Sequence, residues 1–253
     1  MTEKTPARSR KKATPAKAVA EASAPTGTAA PWPLRLRLWA KRAAQGIAVF
    51  YGTLILLFSF VPVPTDLYIL SESLRLGGVE KDWVSYDDIA PDMARAAVAA
   101  EDANFCLHWG FDMSAIRDAV KAGSNRGAST ITQQTVKNVF LWQDRSWLRK
   151  AAEALLTPAV ELVWSKRRIL EVYLNVAEFG DGVFGVEAAA QKYFGVSARE
   201  LSGTQAARLA AVLPDPKGRS AADPSRFVRR RAQQIISGAE TILADGRAAC
   251  FEE

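Results

Sequence analysis

From Pro91 to Gly246 the chain is punctuated by helix starts and stops, and strand-like alternation of apolar and polar residues is scarce. Pro91 opens an Ala-rich run that reaches Glu101. Asp112 is placed to cap a helix from Met113 to Ala122, with Gly123 suited to a left-handed stop. Thr130-x-x-Gln133 and Ser197-x-x-Glu200 have capping-box spacing. Ser146 to Trp164 reads as a long helix with Pro158 as its kink point. Asp223-Pro224 sets a cap and a first-turn proline ahead of another, along which Phe227, Val228, Arg231, Ile235, Ile236, Ala239, Ile242 and Leu243 mark one face. The chain, at 253 residues, has ample length for a sizeable core. The expectation is a mainly α domain over residues 85–246 packed around one core, with a short tail at 247–253 and neither an internal repeat nor a second catalytic domain.

The formal charge of +6 is unevenly placed. Of 33 basic and 27 acidic residues, ten basic and two acidic lie in residues 1–42, which therefore carry +8 and leave the remainder at −2. Those first residues are rich in Ala, Lys, Pro, Ser and Thr and bury too little apolar surface to offset chain entropy, so a disordered basic tail is expected. A nucleic-acid arm is one use for such charge. The next segment argues against it. From Ala43 to Val63 there is no ionisable side chain, and at ~1.5 Å per residue the run is about long enough for a ~30 Å hydrocarbon layer. The expectation is a transmembrane helix over 43–63 and a connecting segment over 64–84, with a buried core helix as the alternative. Arg35, Arg37, Lys41 and Arg42 precede the run while Asp66 and Glu72 follow it, which predicts a cytoplasmic N-terminus and an external domain. A cleaved signal peptide fits less well, because a short n-region and a small-residue cleavage site are missing.

Two cysteines, Cys106 and Cys250, and one histidine, His108, cannot furnish a tetrahedral zinc set without several carboxylates, so no protein-held metal is expected. Outside the cytoplasm the two cysteines could form a disulfide, but nothing in the sequence brings them together, and two unpaired thiols, at least one of them buried, are the preferred expectation.

The chemistry concentrates between residues 101 and 153. Glu101 and Asp102 end the Ala-rich helix as adjacent carboxylates, which disfavours double ionisation; the pair is either an exposed helix end or a base tuned upward. Ser129, Thr130, Thr132, Gln133 and Gln134 crowd hydrogen-bonding groups at the start of a helix that also carries Lys137. A helix start offers free N–H groups to an anion or a polar sugar, although a solvated helix face has the same composition. Arg149, Lys150 and Glu153 stand at i, i+4 and i, i+3 spacing, which suits local ion pairing as well as an anion site. His108 has no second histidine and Ser129 no nucleophile elbow, so a Ser-His-Asp hydrolase is not expected, and His108 is read as hydrogen-bonding locally to hold the loop that carries Glu101.

In order, E-D-x-x-F-x-x-H-x-G at 101–110, G-x-S-T-I-T-Q-Q at 127–134 and R-K-x-x-E at 149–153 resemble the glycosyltransferase domain of bacterial peptidoglycan polymerases. Two further blocks follow, at Lys166 to Asn175 and at Arg208 to Pro214, and Val176 to Gly185 looks like the monofunctional branch, the biosynthetic peptidoglycan transglycosylases. The resemblance covers about residues 75–235; Gln205, where relatives often carry Glu, and Cys106 depart from it. It implies a lysozyme-like helical fold outside the inner membrane, with lipid II and the lipid-linked glycan strand as substrates. It implies Glu101 as the base for the acceptor 4-hydroxyl, and Glu153 as the second catalytic group, with Lys137, Arg149 and Lys150 at the departing pyrophosphate. Asp102, Phe105, His108, Ser129, Thr130, Gln133 and Gln134 would complete the substrate site. The resemblance leaves room for a divalent metal at the pyrophosphate and for partners in cell-wall synthesis complexes. A wall-cleaving hydrolase and an inactive membrane-anchored scaffold are the competing readings. Paired Glu101 and Glu153 with cations between them favour the polymerase.

Overall fold

A computed structural model describes residues 32–121, 129–144 and 146–252. The tail before Trp32, the Gly123 stop and Gly127 lie outside the described residues. The chain divides into a unit ending at Gln45, of which only the start of one helix is described, and a unit from Gly46 onward.

Helix α1 runs from Trp32 to Phe58. It begins ten residues or so earlier than the expected span and stops sooner than Val63. Its end is fixed by side chains that take its free carbonyls. Arg168 donates to Phe58 O at 2.9 and 3.0 Å and to Val61 O at 2.6 Å, and Trp164 Nε1 donates to Ile55 O at 2.7 Å. Ile55 is buried in the domain core. Among the described residues no helix is long and apolar enough to cross a membrane.

The segment read as a connector is ordered structure. Asp66 caps α2 (Leu67–Leu76), accepting from Tyr68 N and Ile69 N at 2.9 Å, and β1 (Glu80–Lys81) follows. The motif-bearing middle of the chain forms α3 (Pro91–Glu101), α4 (Met113–Lys121), α5 (Ile131–Phe140), α6 (Trp147–Val163) and α7 (Lys166–Val176). After β2 (Glu178–Gly180) and β3 (Val183–Phe184) come α8 (Val186–Phe194), α9 (Gly203–Val212), α10 (Arg226–Ala244) and α11 (Ala249–Glu252). The small sheet has order β1-β3-β2, with β1 parallel and β2 antiparallel to β3. Strands of two or three residues are too short to show alternation, which is why the sequence pattern misses them.

Three helices, α3, α9 and α10, pack together, and α5 packs against both α6 and α7. Alanines at 94, 96, 97, 206, 207, 210 and 211 are buried where the first three meet, so their backbones approach closely. Ile169, Leu170 and Leu174 fill the other side; full burial of each contributes roughly 1.5–3 kcal/mol over exposure. Gln205 fulfils the capping-box role with Ser202, whose N–H donates to Gln205 Oε1 at 2.9 Å, so replacing Glu by Gln costs this helix start nothing visible. Helix α10 starts later than Asp223-Pro224 suggests, because Ser225 is its cap and accepts from Val228 N. Phe227 and Leu243 from the predicted face are exposed, while Val228, Ala232, Ile235 and Ile242 are buried.

Cys106 and Cys250 form a disulfide, with Cα atoms 5.7 Å apart, which corrects the expectation of two free thiols. The sequence hides this pairing because it depends on the return of α11 to the turn at Phe105–Leu107, where Phe105 and Phe251 are both fully buried.

Candidate active site

Glu101 is the last residue of α3, and Asp102 is its C-cap. The two carboxylates face different tasks. Asp102 is buried; Oδ1 lies 2.8 Å from His108 Nε2, and Oδ2 accepts from Ile131 N at 3.0 Å, at the electropositive start of α5. Glu101 instead accepts from Gln134 Nε2 at 2.9 Å. Burial raises its proton affinity, assisted by the charge of Asp102, against the opposing pull of the Gln134 bond, Arg231 and Lys137. A carboxyl held in this way is suited to accept a proton from a hydroxyl.

The α5 start positions the opposite wall. Thr130 and Gln133 form a reciprocal capping box, and Thr130 Oγ1 donates to Gly110 O at 2.7 Å. Gly110 has φ +81°, and a Cβ there would lie 2.4 Å from Thr157 Cγ2, so the turn below Glu101 requires glycine. One helical turn along, Gln134, Lys137 and Asn138 share a face. Tyr173, fully buried, lies with its hydroxyl 3.4 Å from Gln134 Oε1, which leaves the amide nitrogen for Glu101. Burial lowers the proton affinity of Lys137; Glu153 and Glu101 oppose that effect while Arg149 and Lys150 add to it. Lys137 therefore lies within the electrostatic reach of both glutamates.

Helix α6 contributes the cationic end. Its cap Ser146 accepts from Arg149 N, and both Arg149 and Lys150 are hydrogen-bonded to Glu153, which is almost fully buried. Local pairing is thus real, and it also turns both cations toward one point. Lys150 Nζ lies 3.4 Å from Ser129 Oγ, joining this end to the α5 start.

A cavity of about 210 Å³ is lined by Glu101, Asp102, Asn104, Asp112, Ser129 and Thr130, and a second of about 350 Å³ by Gln134, Lys137, Asn138, Gln143, Tyr173, Glu178 and the 213–217 loop among others. Of the predicted substrate-binding residues, Ser129 lines the first cavity and Gln134 and Lys137 the second; Arg149 and Lys150 line neither, and Lys150 reaches the first through its contact with Ser129. Asp102 and Thr130 reach the first cavity, but their polar atoms are bonded inward. Phe105, His108 and Gln133 line neither cavity, and the contacts seen for them are with the protein itself. Phe105 is fully buried beneath Lys166 Nζ, 4.4 Å from its ring centroid; His108 holds Asp102; Gln133 caps α5. The sequence places Arg231 on a helix face and Tyr173 within a matched block, but gives neither a role in the site. Arg231 lies on α10 and donates to Ala100 O at 3.0 Å, a contact between segments distant in sequence. Asn138 is legible in retrospect, from its i+4 spacing to Gln134.

A pH prediction follows from Glu101. Because its proton affinity is raised, a reaction needing the ionised form gains rate only as pH passes above the ordinary glutamate value of 4.5. Gln134→Ala removes a donor to that ionised form, so the acid limb of kcat/KM should move to still higher pH. An acid limb unchanged in this variant would contradict the Gln134–Glu101 linkage.

Comparison with known proteins agrees with this arrangement. The transglycosylase family profile matches residues 70–240, a span that includes Glu101 and Glu153. A biosynthetic peptidoglycan transglycosylase of Jannaschia sp. (strain CCS1) is 60% identical over 216 residues, covering 85% of this chain and 90% of that protein. The protein of the same name from Cronobacter sakazakii (strain ATCC BAA-894) is 50% identical over 224 residues, covering 84% and 93%. That from Salmonella enteritidis PT4 (strain P125109) is 52% identical over 213 residues, covering 79% and 88%. With its helical domain, its paired glutamates and this length of matched sequence, the chain belongs to the transglycosylase family.

Proposed function

We propose that this chain polymerises the glycan strands of peptidoglycan, joining lipid II disaccharide units by β-1,4 links with inversion. The observation that carries the reading is the placement of a base and an anion site at the two ends of one wall. Glu101, with its raised proton affinity, stands at one end; Arg149, Lys150 and Glu153 stand at the other; Lys137 is coupled to both. The acceptor 4-hydroxyl gives its proton to Glu101, and its oxygen bonds to C1 of the donor sugar. The C1–O bond to the pyrophosphate breaks on the opposite face, and the lipid pyrophosphate leaves with the bonding electrons. Lys137, Arg149 and Lys150 stabilise the charge that develops there, Glu153 holds the last two in place, and Ser129 and Gln134 hold the sugars. Full-length protein given lipid II should release one undecaprenyl pyrophosphate for each disaccharide added. Consumption of lipid II without that release would overturn the reading.

A divalent metal at the pyrophosphate does not fit these side chains. Glu153, the carboxylate there, is engaged by both Arg149 and Lys150, in a cluster dominated by cations. Two carboxylate groupings with ligand-like spacing occur among the described residues, Asp102–His108–Asp112 and Glu72–Glu178–Asp181. In the first, Asp112 Oδ1 takes bonds from Ser114 and Ala115 while Asn104 bonds Oδ2; burial opposes them, yet they hold its pKa at about 2. In the second, Arg75 and Lys217 already supply the counter-charge.

The same reading places the chain at the inner membrane, with α1 as a single-pass anchor, its N-terminus cytoplasmic and its catalytic domain outside. The support is the uncharged stretch from Ala43 to Phe58, preceded by Arg35, Arg37, Lys41 and Arg42. Those cations could snorkel to the headgroups and extend a stretch that is otherwise short for the ~30 Å hydrocarbon layer. Further support comes from α6, where Trp147, Leu148, Leu155 and Leu162 are exposed, and from Met113 and Val120 on α4. After cell breakage the protein should stay with membranes through carbonate at high pH and leave them only in detergent. Release by carbonate alone would contradict an inserted anchor.

A further inference from the structure

The last residues of the chain return to the loop that follows Glu101. Arg247 Nη1 donates to Ala103 O at 2.8 Å. Cys250 is bonded to Cys106, and Phe251 packs beside Phe105 with ring centroids 6.4 Å apart. Glu252 Oε1 accepts from Arg95 Nη1 at 2.6 Å, on the helix that ends in Glu101. These contacts fall on both sides of Glu101 and Asp102. Cys106 itself lies between Asp102 and His108, whose side chains are hydrogen-bonded to each other. Lys166 braces the same loop from α7, donating to His108 O at 2.8 Å.

The covalent contact differs in kind from the others. Helix α11 has 4 residues, too few to be stable by itself, and it holds the loop only while it stays docked. The disulfide joins residues 144 apart in sequence and keeps α11 on the loop through any local fraying of the C-terminus. Both cysteines are half-buried, packed against the edge of the core, and exchange needs a thiolate to approach one of their sulfurs.

We propose that the Cys106–Cys250 disulfide is a redox-sensitive clasp that positions Glu101, and that a dithiol reductant opens it and slows polymerisation. A thiolate of the dithiol attacks one sulfur of the pair and displaces the other as a thiolate. The second thiol of the reductant then resolves the mixed disulfide. Two electrons and two protons pass to Cys106 and Cys250, and the dithiol leaves as a disulfide. The pair touches no substrate; it acts through the loop that carries Asp102 and His108. The proposal rests on Glu101 as the base.

The test compares full-length wild-type protein, oxidised and after reduction with dithiothreitol, with Cys250→Ser under both conditions. Free-thiol titration establishes that reduction is complete, and circular dichroism follows unfolding. Reduction should lower kcat about tenfold, within the ~10²-fold that a displacement of about 1 Å can cost, with little change in KM. Reoxidation should restore the rate. Cys250→Ser should be slow in both conditions and insensitive to dithiothreitol. Full kcat in completely reduced, folded protein overturns the clasp, and so does loss of cooperative unfolding on reduction, which would make the disulfide a staple for the whole domain. The reading of Glu101 fails separately, if oxidised Glu101→Gln polymerises as fast as oxidised wild type.

Discussion

Glu101→Gln is expected to lower the rate of glycan polymerisation by about 10²–10⁴-fold, the range lost with a positioned general base. The substitution keeps the size of the side chain and its place at the end of α3. It removes the oxygen charge that accepts from Gln134 and the ability to hold a proton from the acceptor hydroxyl. Removing a buried carboxylate whose charged form is disfavoured by its surroundings should not destabilise the fold. With folded pKa raised, ionisation of Glu101 weakens the folded state as pH rises through that value, so the amide is expected to match or exceed wild-type stability at neutral pH. Polymerisation kinetics and thermal unfolding on the same preparation separate the two effects. A folded variant with wild-type rate contradicts the assignment.

Lys137→Ala should have the next largest effect, about 10²–10³-fold in kcat, comparable with the loss of one group that stabilises developing charge. Lys137 is half-buried at the cavity wall, within electrostatic reach of Glu101 at one end and of Glu153, Arg149 and Lys150 at the other. The loss has two parts: the leaving pyrophosphate is less well neutralised, and the ionised form of Glu101 loses a favourable neighbour. The acid limb of the pH profile should therefore move upward along with the fall in kcat. Lys137→Arg should restore part of the rate because the charge is kept, but not all, because a forked guanidinium fits the same half-buried space poorly. If Lys137→Ala altered KM alone, Lys137 would serve binding and not the transition state.

The helices were legible where local chemistry defines them. Ser146 stands directly before the helix it caps, and the Thr130–Gln133 and Ser197–Glu200 boxes sit as their spacing predicts. What the sequence hides is decided by contacts between distant segments. The end of α1 depends on Arg168, and the pairing of Cys106 depends on the return of α11. The same division holds in the active site. Glu101, Lys137, Arg149, Lys150 and Glu153 are recognisable as chemistry-bearing types in order. The split between Gln134, which faces Glu101, and Gln133, which closes a cap, is invisible in two identical neighbours. It follows from helix geometry, which turns successive side chains about 100° apart. His108 makes the local hydrogen bond that its place in the motif suggests, to Asp102, while the ring of Phe105 is buried beneath Lys166.

The most direct test of the account is the size of the product made from labelled lipid II by the full-length protein. The account predicts long, muramidase-sensitive glycan from wild type and none from Glu101→Gln. Unchanged lipid II with folded wild-type protein, or shortening of preformed glycan in place of growth, would contradict it.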